Sequence, residues 1–123
     1  MLTGKKIVFA EDDEATLESY KTYFDFNKDT KVATIFYVKN VQECRDTLDK
    51  ELPDWLILDL GLGDINPPPG LKILHDYKGK VKTIVVSGYH EYKGQCMEDG
   101  AVEFISKPVE HPKQLIEIML THP

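Results

Sequence analysis

Long apolar runs are missing from this sequence, and so is any excess of positive charge. No stretch approaches the roughly 20 apolar residues that a membrane-spanning helix needs. Basic residues number 15 against 21 acids, a net charge of −6. That balance argues against direct binding to nucleic acid or to an anionic membrane, both of which call for a basic footprint. It suits a cation-binding or protein-binding role. Cysteine is scarce, with only Cys44 and Cys96, and two thiols without clustered histidines make no zinc site. No clean apolar segment of the signal-peptide kind opens the chain, because Glu11-Asp12-Asp13 interrupts it. The expectation is a cytoplasmic protein with reduced thiols. Repeats, linkers and low-complexity tracts are also missing, apart from the triplet Pro67-Pro68-Pro69. With 123 residues there is room for one domain, residues 1–123, with a core of its own.

What is present is an alternation of strand and helix signals. Lys5 to Ala10 reads as a first strand, apolar from Ile7, and it runs into four acids, Glu11 to Glu14. Asp13 is placed to cap a helix whose core face is Leu17, Tyr20 and Phe24. Val32 to Val38 is a second strand, rich in β-branched and aromatic residues. Asn40 with Glu43 resembles a capping box before the stripe Val41, Cys44 and Leu48. Trp55 to Leu58 is a third strand, bounded by Pro53 and a glycine-containing loop and apolar enough to be buried on both faces. Asp59 stands at its far end.

The loop from Leu60 to Gly70 holds three glycines and three prolines. A short helix, Leu71 to Tyr77, follows and ends at Gly79; Val81 to Val86 is a fourth strand, closing on Ser87-Gly88. Glu91 to Asp99 predicts a poor helix, with Gly94 inside it, Gly100 behind it and Met97 turned to the core. Val102 to Ile105 is a fifth strand, leading to Ser106-Lys107-Pro108. Pro112 marks the first turn of a last helix with the stripe Leu115, Ile116, Met119 and Leu120. Five such alternations call for an α/β fold, a parallel sheet with helices on both faces and right-handed crossovers. The functional crevice of such a sheet lies at the carboxyl ends of its strands.

Four of the five strands deliver a chemical group there: Glu11 and Asp12, then Asp59, Ser87 and Lys107. Three carboxylates in one crevice repel one another. A pair at 4 Å costs roughly 1 kcal/mol in water and about 4 kcal/mol at an effective dielectric of 20. Such a cluster calls for a cation, and oxygen ligands alone favour a hard one such as Mg2+. Carboxylate nucleophile, hard cation, ammonium and hydroxyl together suit phosphoryl transfer, with Asp59 attacking in line.

At these spacings, Glu11-Asp12, Asp59, Ser87-Gly88 and Lys107-Pro108 resemble the receiver domain of bacterial two-component response regulators, of the stand-alone chemotaxis-receiver type. The resemblance covers the whole chain. It implies a (βα)5 doubly wound, flavodoxin-like sheet of strand order 2-1-3-4-5. It implies Asp59 as the aspartate phosphorylated by a histidine kinase or histidine phosphotransfer protein. Mg2+ would be held by Glu11, Asp12, Asp59 and the backbone carbonyl of Gly61. Ser87 matches the switch hydroxyl, Phe104 the aromatic switch position and Lys107 the phosphoryl-pairing ammonium, with a cis Lys107-Pro108 bond. The face of the fourth helix, fifth strand and fifth helix would pass the signal to an effector protein, as a monomer or a phosphorylation-dependent dimer, unless the chain is a fragment of something longer.

The loop after Asp59 departs from the family pattern. Gly63 stands where receivers usually carry proline, and Gly70 comes eleven residues after the aspartate, three later than usual. Gly61 and Tyr89, two residues beyond Asp59 and Ser87, flank the expected path of a hydrolytic water, and slow loss of the phosphoryl group is expected. Three rivals remain. An aspartyl-phosphate phosphatase would want an acid where Gly61 stands. A flavin-binding protein would want a phosphate loop where the four acids stand. A receiver-like module working without phosphorylation would not need the intact set.

Overall fold

A computed structural model describes residues 1–63 and 65–123. Its five strands are β1 (Lys6–Ala10), β2 (Thr34–Val38), β3 (Trp55–Asp59), β4 (Lys82–Ser87) and β5 (Glu103–Ser106). They alternate with α1 (Glu14–Phe26), α2 (Val41–Glu51), α3 (Gly70–Asp76), α4 (Lys93–Glu98) and α5 (Lys113–Thr121). All strands pair in parallel in the order β2-β1-β3-β4-β5, the flavodoxin-like receiver order. Central β3 is buried at every residue, as its unbroken apolar run requires.

Alternation along each strand sends side chains to two cores. Val8, Leu56, Leu58, Val85 and Phe104 meet Cys44 and Leu48 of α2, Ile73 and Leu74 of α3 and Cys96 of α4. Ile7, Phe9, Ile57, Ile84 and Ile105 meet Phe24 of α1 and Leu115, Ile116 and Met119 of α5. Burying each such side chain contributes about 1.5–3 kcal/mol before chain entropy is counted.

Helix starts follow side-chain chemistry. Asp13 accepts the Thr16 N–H at 3.0 Å and, by a short contact, the Thr16 hydroxyl. Asn40 accepts the Glu43 N–H at 2.8 Å, but the Glu43 carboxylate reaches the Lys39 N–H and not that of Asn40, so the box closes one residue early. At the end of α4, Gly100 (φ 88°) lets the Gly100 and Ala101 N–H groups return to the carbonyls of Met97 and Cys96.

Several expectations need correcting. β2 starts at Thr34, because Val32 lies in an exposed turn. β4 and β5 each run one residue further toward the crevice, because Ser87 and Ser106 pair with each other. The fourth helix opens as a 3-10 turn, His90–Tyr92, before six residues of α-helix. Met97 is 40% exposed and Leu120 38%, so neither joins the core that its helical spacing suggests. The proline loop contains a second cis bond, Asn66-Pro67, besides the expected Lys107-Pro108; residue 64 of that loop lies outside the described residues.

Candidate functional site at the strand tips

The ladder aligns the site residues in rows. Ala10 sits beside Leu58, Leu58 beside Val85 and Val85 beside Phe104. One step on, Glu11 and Asp59 leave the sheet side by side, with Val86 and Ile105 in the same row. One more step brings Ser87 beside Ser106, and the Lys107 N–H donates to the Ser87 carbonyl at 3.0 Å. Residues from four strands thus share one rim.

Their side chains converge. Carboxylate oxygens of Glu11, Asp12 and Asp59 lie within 4.8 Å of one another, and no other such cluster of three is found among the described residues. Lys107 Nζ donates to Glu11 Oε1 at 2.8 Å and to Asp59 Oδ2 at 3.1 Å. Backbone donors hold the remaining oxygens. Asp13 N–H reaches Glu11 Oε2 at 3.2 Å, Gly61 N–H reaches Asp59 Oδ1 at 3.1 Å, and Gly63 N–H reaches Asp12 Oδ2 at 3.1 Å. Glu11 and Asp59 are buried, whereas Asp12 is exposed at the lip.

Three acids facing one ammonium leave the pocket short of positive charge. Burial pushes the Glu11 carboxyl up to about 7, with the Asp59 charge adding to the rise and Lys107 opposing it. Burial works against the Lys107 ammonium, but the hydrogen bond to Glu11 and the charges of Asp59 and Glu11 carry it above its ordinary value. An all-oxygen set with surplus negative charge fits a hard divalent cation, so the donor chemistry agrees with Mg2+.

Ser87 is fully buried, and its Oγ accepts the Tyr89 N–H at 3.0 Å, which leaves the hydroxyl proton to donate. Phe104 is buried on the same sheet face, in one core with Cys96 of α4. Gly61 lies against the edge of the Tyr89 ring, whose Cε2 is 3.2 Å from where a β-carbon on the glycine would stand. Gly70 is held by contact: its N–H donates to the Leu60 carbonyl at 2.8 Å, and a β-carbon would stand 2.5 Å from Leu60 Cα. It presses the lengthened loop back onto the end of β3.

Three features escape sequence reasoning: the Gly63–Asp12 bond, the Asp13 N–H on Glu11, and a His90 Nδ1 contact to Ser106 Oγ at 3.0 Å. Only Gly63 leaves a sequence signal, as a break in the family pattern.

Among solved structures, the chain resembles a CheY-like response regulator receiver domain protein from Methanospirillum hungatei JF-1. The identity is 26%, with 97% of this chain and 93% of that one covered and a TM-score of 0.80. It also resembles the BeF3-activated N-terminal receiver domain of RstA from Klebsiella pneumoniae at 20% identity, covering 94% and 96% of the two chains, TM-score 0.74. A third likeness is a response regulator from Burkholderia pseudomallei whose crystal structure holds a phosphorylated aspartic acid, a calcium ion and citrate. There the identity is 18%, with 97% and 75% of the chains covered and a TM-score of 0.70. No curated protein sequence matches the chain. The model of the response regulator receiver domain matches residues 7–120, from the first strand to the last helix, and the chain belongs to that family of two-component signalling domains.

Proposed function

We propose that this receiver domain, residues 1–123, is a cytoplasmic phosphoacceptor that takes a phosphoryl group from a phosphohistidine donor onto Asp59. The observation that carries this is the Lys107 ammonium, bridging Glu11 and Asp59 beside a cluster of three carboxylates. An aspartate meant only to cap a strand would not be given a fixed cation and two acidic neighbours.

In this proposal one Asp59 oxygen forms the bond to phosphorus as the phosphorus–nitrogen bond to the donor imidazole breaks. The imidazole leaves with that electron pair and takes up a proton. Glu11, Asp12, Asp59 and the Gly61 carbonyl would hold Mg2+, which supplies charge neutralisation for the phosphoryl oxygens when bound. Lys107 neutralises a further oxygen, and Ser87 donates its hydroxyl proton to another. The Burkholderia response regulator of the same fold carries a phosphorylated aspartic acid, which supports this reading.

The signal leaves through α4, β5 and α5. Ser87 and Phe104 share one sheet face, and Phe104 shares a core with Cys96 of α4, so drawing Ser87 toward the phosphoryl group bears on α4. A six-residue helix with Gly94 inside it and a 3-10 turn before it is the kind of low-stability element that can respond. The histidine kinase or phosphotransfer protein is the donor partner, and an effector protein or a second copy of the domain reads the altered face.

The test is incubation with Mg2+ and a small phosphodonor, or with beryllofluoride, for the protein and for Asp59→Asn. A mass gain of one phosphoryl group, absent from the variant, is expected. No gain under any donor would favour a module working without phosphorylation, and continuous phosphate release would favour a phosphatase.

A further inference from the structure

We infer that the backbone N–H of Gly63 is a positioning group for Asp12, and that it couples the proline-rich loop to metal occupancy. The inference rests on Glu11, Asp12 and Asp59 being the Mg2+ site.

The three carboxylates are not held alike. Glu11 and Asp59 are buried, and each is fixed by Lys107 together with a backbone N–H from its own strand end. Asp12 is exposed, and its one hydrogen bond among the described residues comes from Gly63, 51 residues away in sequence. Without that bond an exposed aspartate side chain samples several rotamers, and a ligand that must first be ordered binds its metal less tightly. With Oδ2 held by Gly63, the other oxygen is free to ligate.

Glycine at this position is a backbone requirement. Gly63 has φ of 80°, while nothing lies within 4 Å of a β-carbon built on it. Left-handed geometry, and not lack of room, selects the residue. A proline here would remove the donor and force φ to about −65°. Asparagine keeps the N–H and tolerates the left-handed region.

Thermodynamic linkage makes the coupling reciprocal: whatever factor the bond adds to metal affinity, metal adds to the bond. Mg2+ would then firm the segment carrying exposed Ile65 and the three prolines, beside the phosphoacceptor.

The experiment titrates Mg2+ by calorimetry into wild type, Gly63→Pro and Gly63→Asn, and follows hydrogen exchange of the Gly63 amide in the wild type. Gly63→Pro should bind about tenfold more weakly, and Gly63→Asn should bind within about twofold of wild type. Saturating Mg2+ should slow exchange at Gly63 by about tenfold. A folded proline variant with wild-type affinity, or an amide whose exchange ignores Mg2+, overturns the inference. If the proline variant fails to fold, the exchange measurement decides alone. A wild type that binds no Mg2+ overturns the metal site itself, which is a different and recognisable result.

Discussion

The Cε2 edge of the Tyr89 ring lies against the bare backbone of Gly61, 3.2 Å from where a β-carbon on that glycine would stand. Gly61 follows Asp59 by two residues, and Tyr89 follows Ser87 by two. The small residue and the large one fill one space beside Asp59. In the proposed function the Tyr89 side chain stands beside Asp59 and would hinder water approaching an aspartyl phosphate, so phosphoryl loss should be slow. Tyr89→Ala should hasten it by about tenfold, equivalent to about 1.4 kcal/mol in the barrier. Following the decay of the phosphorylated protein checks this, and a wild-type half-life of seconds would contradict it.

Two glycines should respond in opposite directions to alanine. A β-carbon on Gly70 would meet Leu60 Cα at 2.5 Å and Leu60 O at 2.9 Å, all backbone that cannot step aside. Gly70→Ala should cost about 1–3 kcal/mol or more. Gly94 lies inside α4 with open space around it. Gly94→Ala should stabilise by about 0.5–1 kcal/mol. Urea denaturation of both variants is the check, and a neutral Gly70→Ala would mean the loop is not pressed against β3.

Alkaline pH should unfold this protein through its buried acids. Burial pushes the Cys44 thiol up to about 12 and that of Cys96 to about 11, with Asp99 adding to the latter. Burial also raises the Tyr37 phenol, helped by the charges of Asp25 and Glu18, and its hydroxyl has no hydrogen-bond partner among the described residues. Each group holds its proton more tightly folded than unfolded. The stability this confers is therefore complete below the unfolded values, about 8.5 for a thiol and about 10 for a phenol, and is lost as pH climbs toward the folded ones. The denaturation midpoint should fall above about pH 8.5. At pH 8 neither thiol should react with a thiol reagent until denaturant is added. Ready labelling of the native protein would refute the burial.

The His90–Ser106 contact ties the β4–α4 loop to the end of β5. Ser87 ends β4 just before that loop, so in the proposed function its movement toward a phosphoryl group would work against the tie. Ser106→Ala should tighten beryllofluoride binding by about threefold, within the range one exposed hydrogen bond supplies. Weaker binding would mean that the contact supports the activated arrangement instead.

Much of this molecule is written in short local patterns. An apolar run ending in a carboxylate, a capping aspartate and a stripe at helical spacing each carry their meaning within a few residues. The five alternations and the strand-tip groups Glu11, Asp12, Asp59, Ser87 and Lys107 are legible for that reason. Boundaries slip where a partner strand sets them: Ser87 and Ser106 join the ladder because each finds the other. Met97 and Leu120 mislead because periodicity shows which residues share a helix face, not whether tertiary packing covers each of them.

Distance is the quantity a one-dimensional pattern does not contain. Lys107 bridges acids 96 and 48 residues away, and Gly63 reaches one 51 residues back. The linear order of residues settles which charges exist and which of them end strands. Parallel pairing and strand register settle that they meet, because only the ladder brings four separate strand ends to one rim.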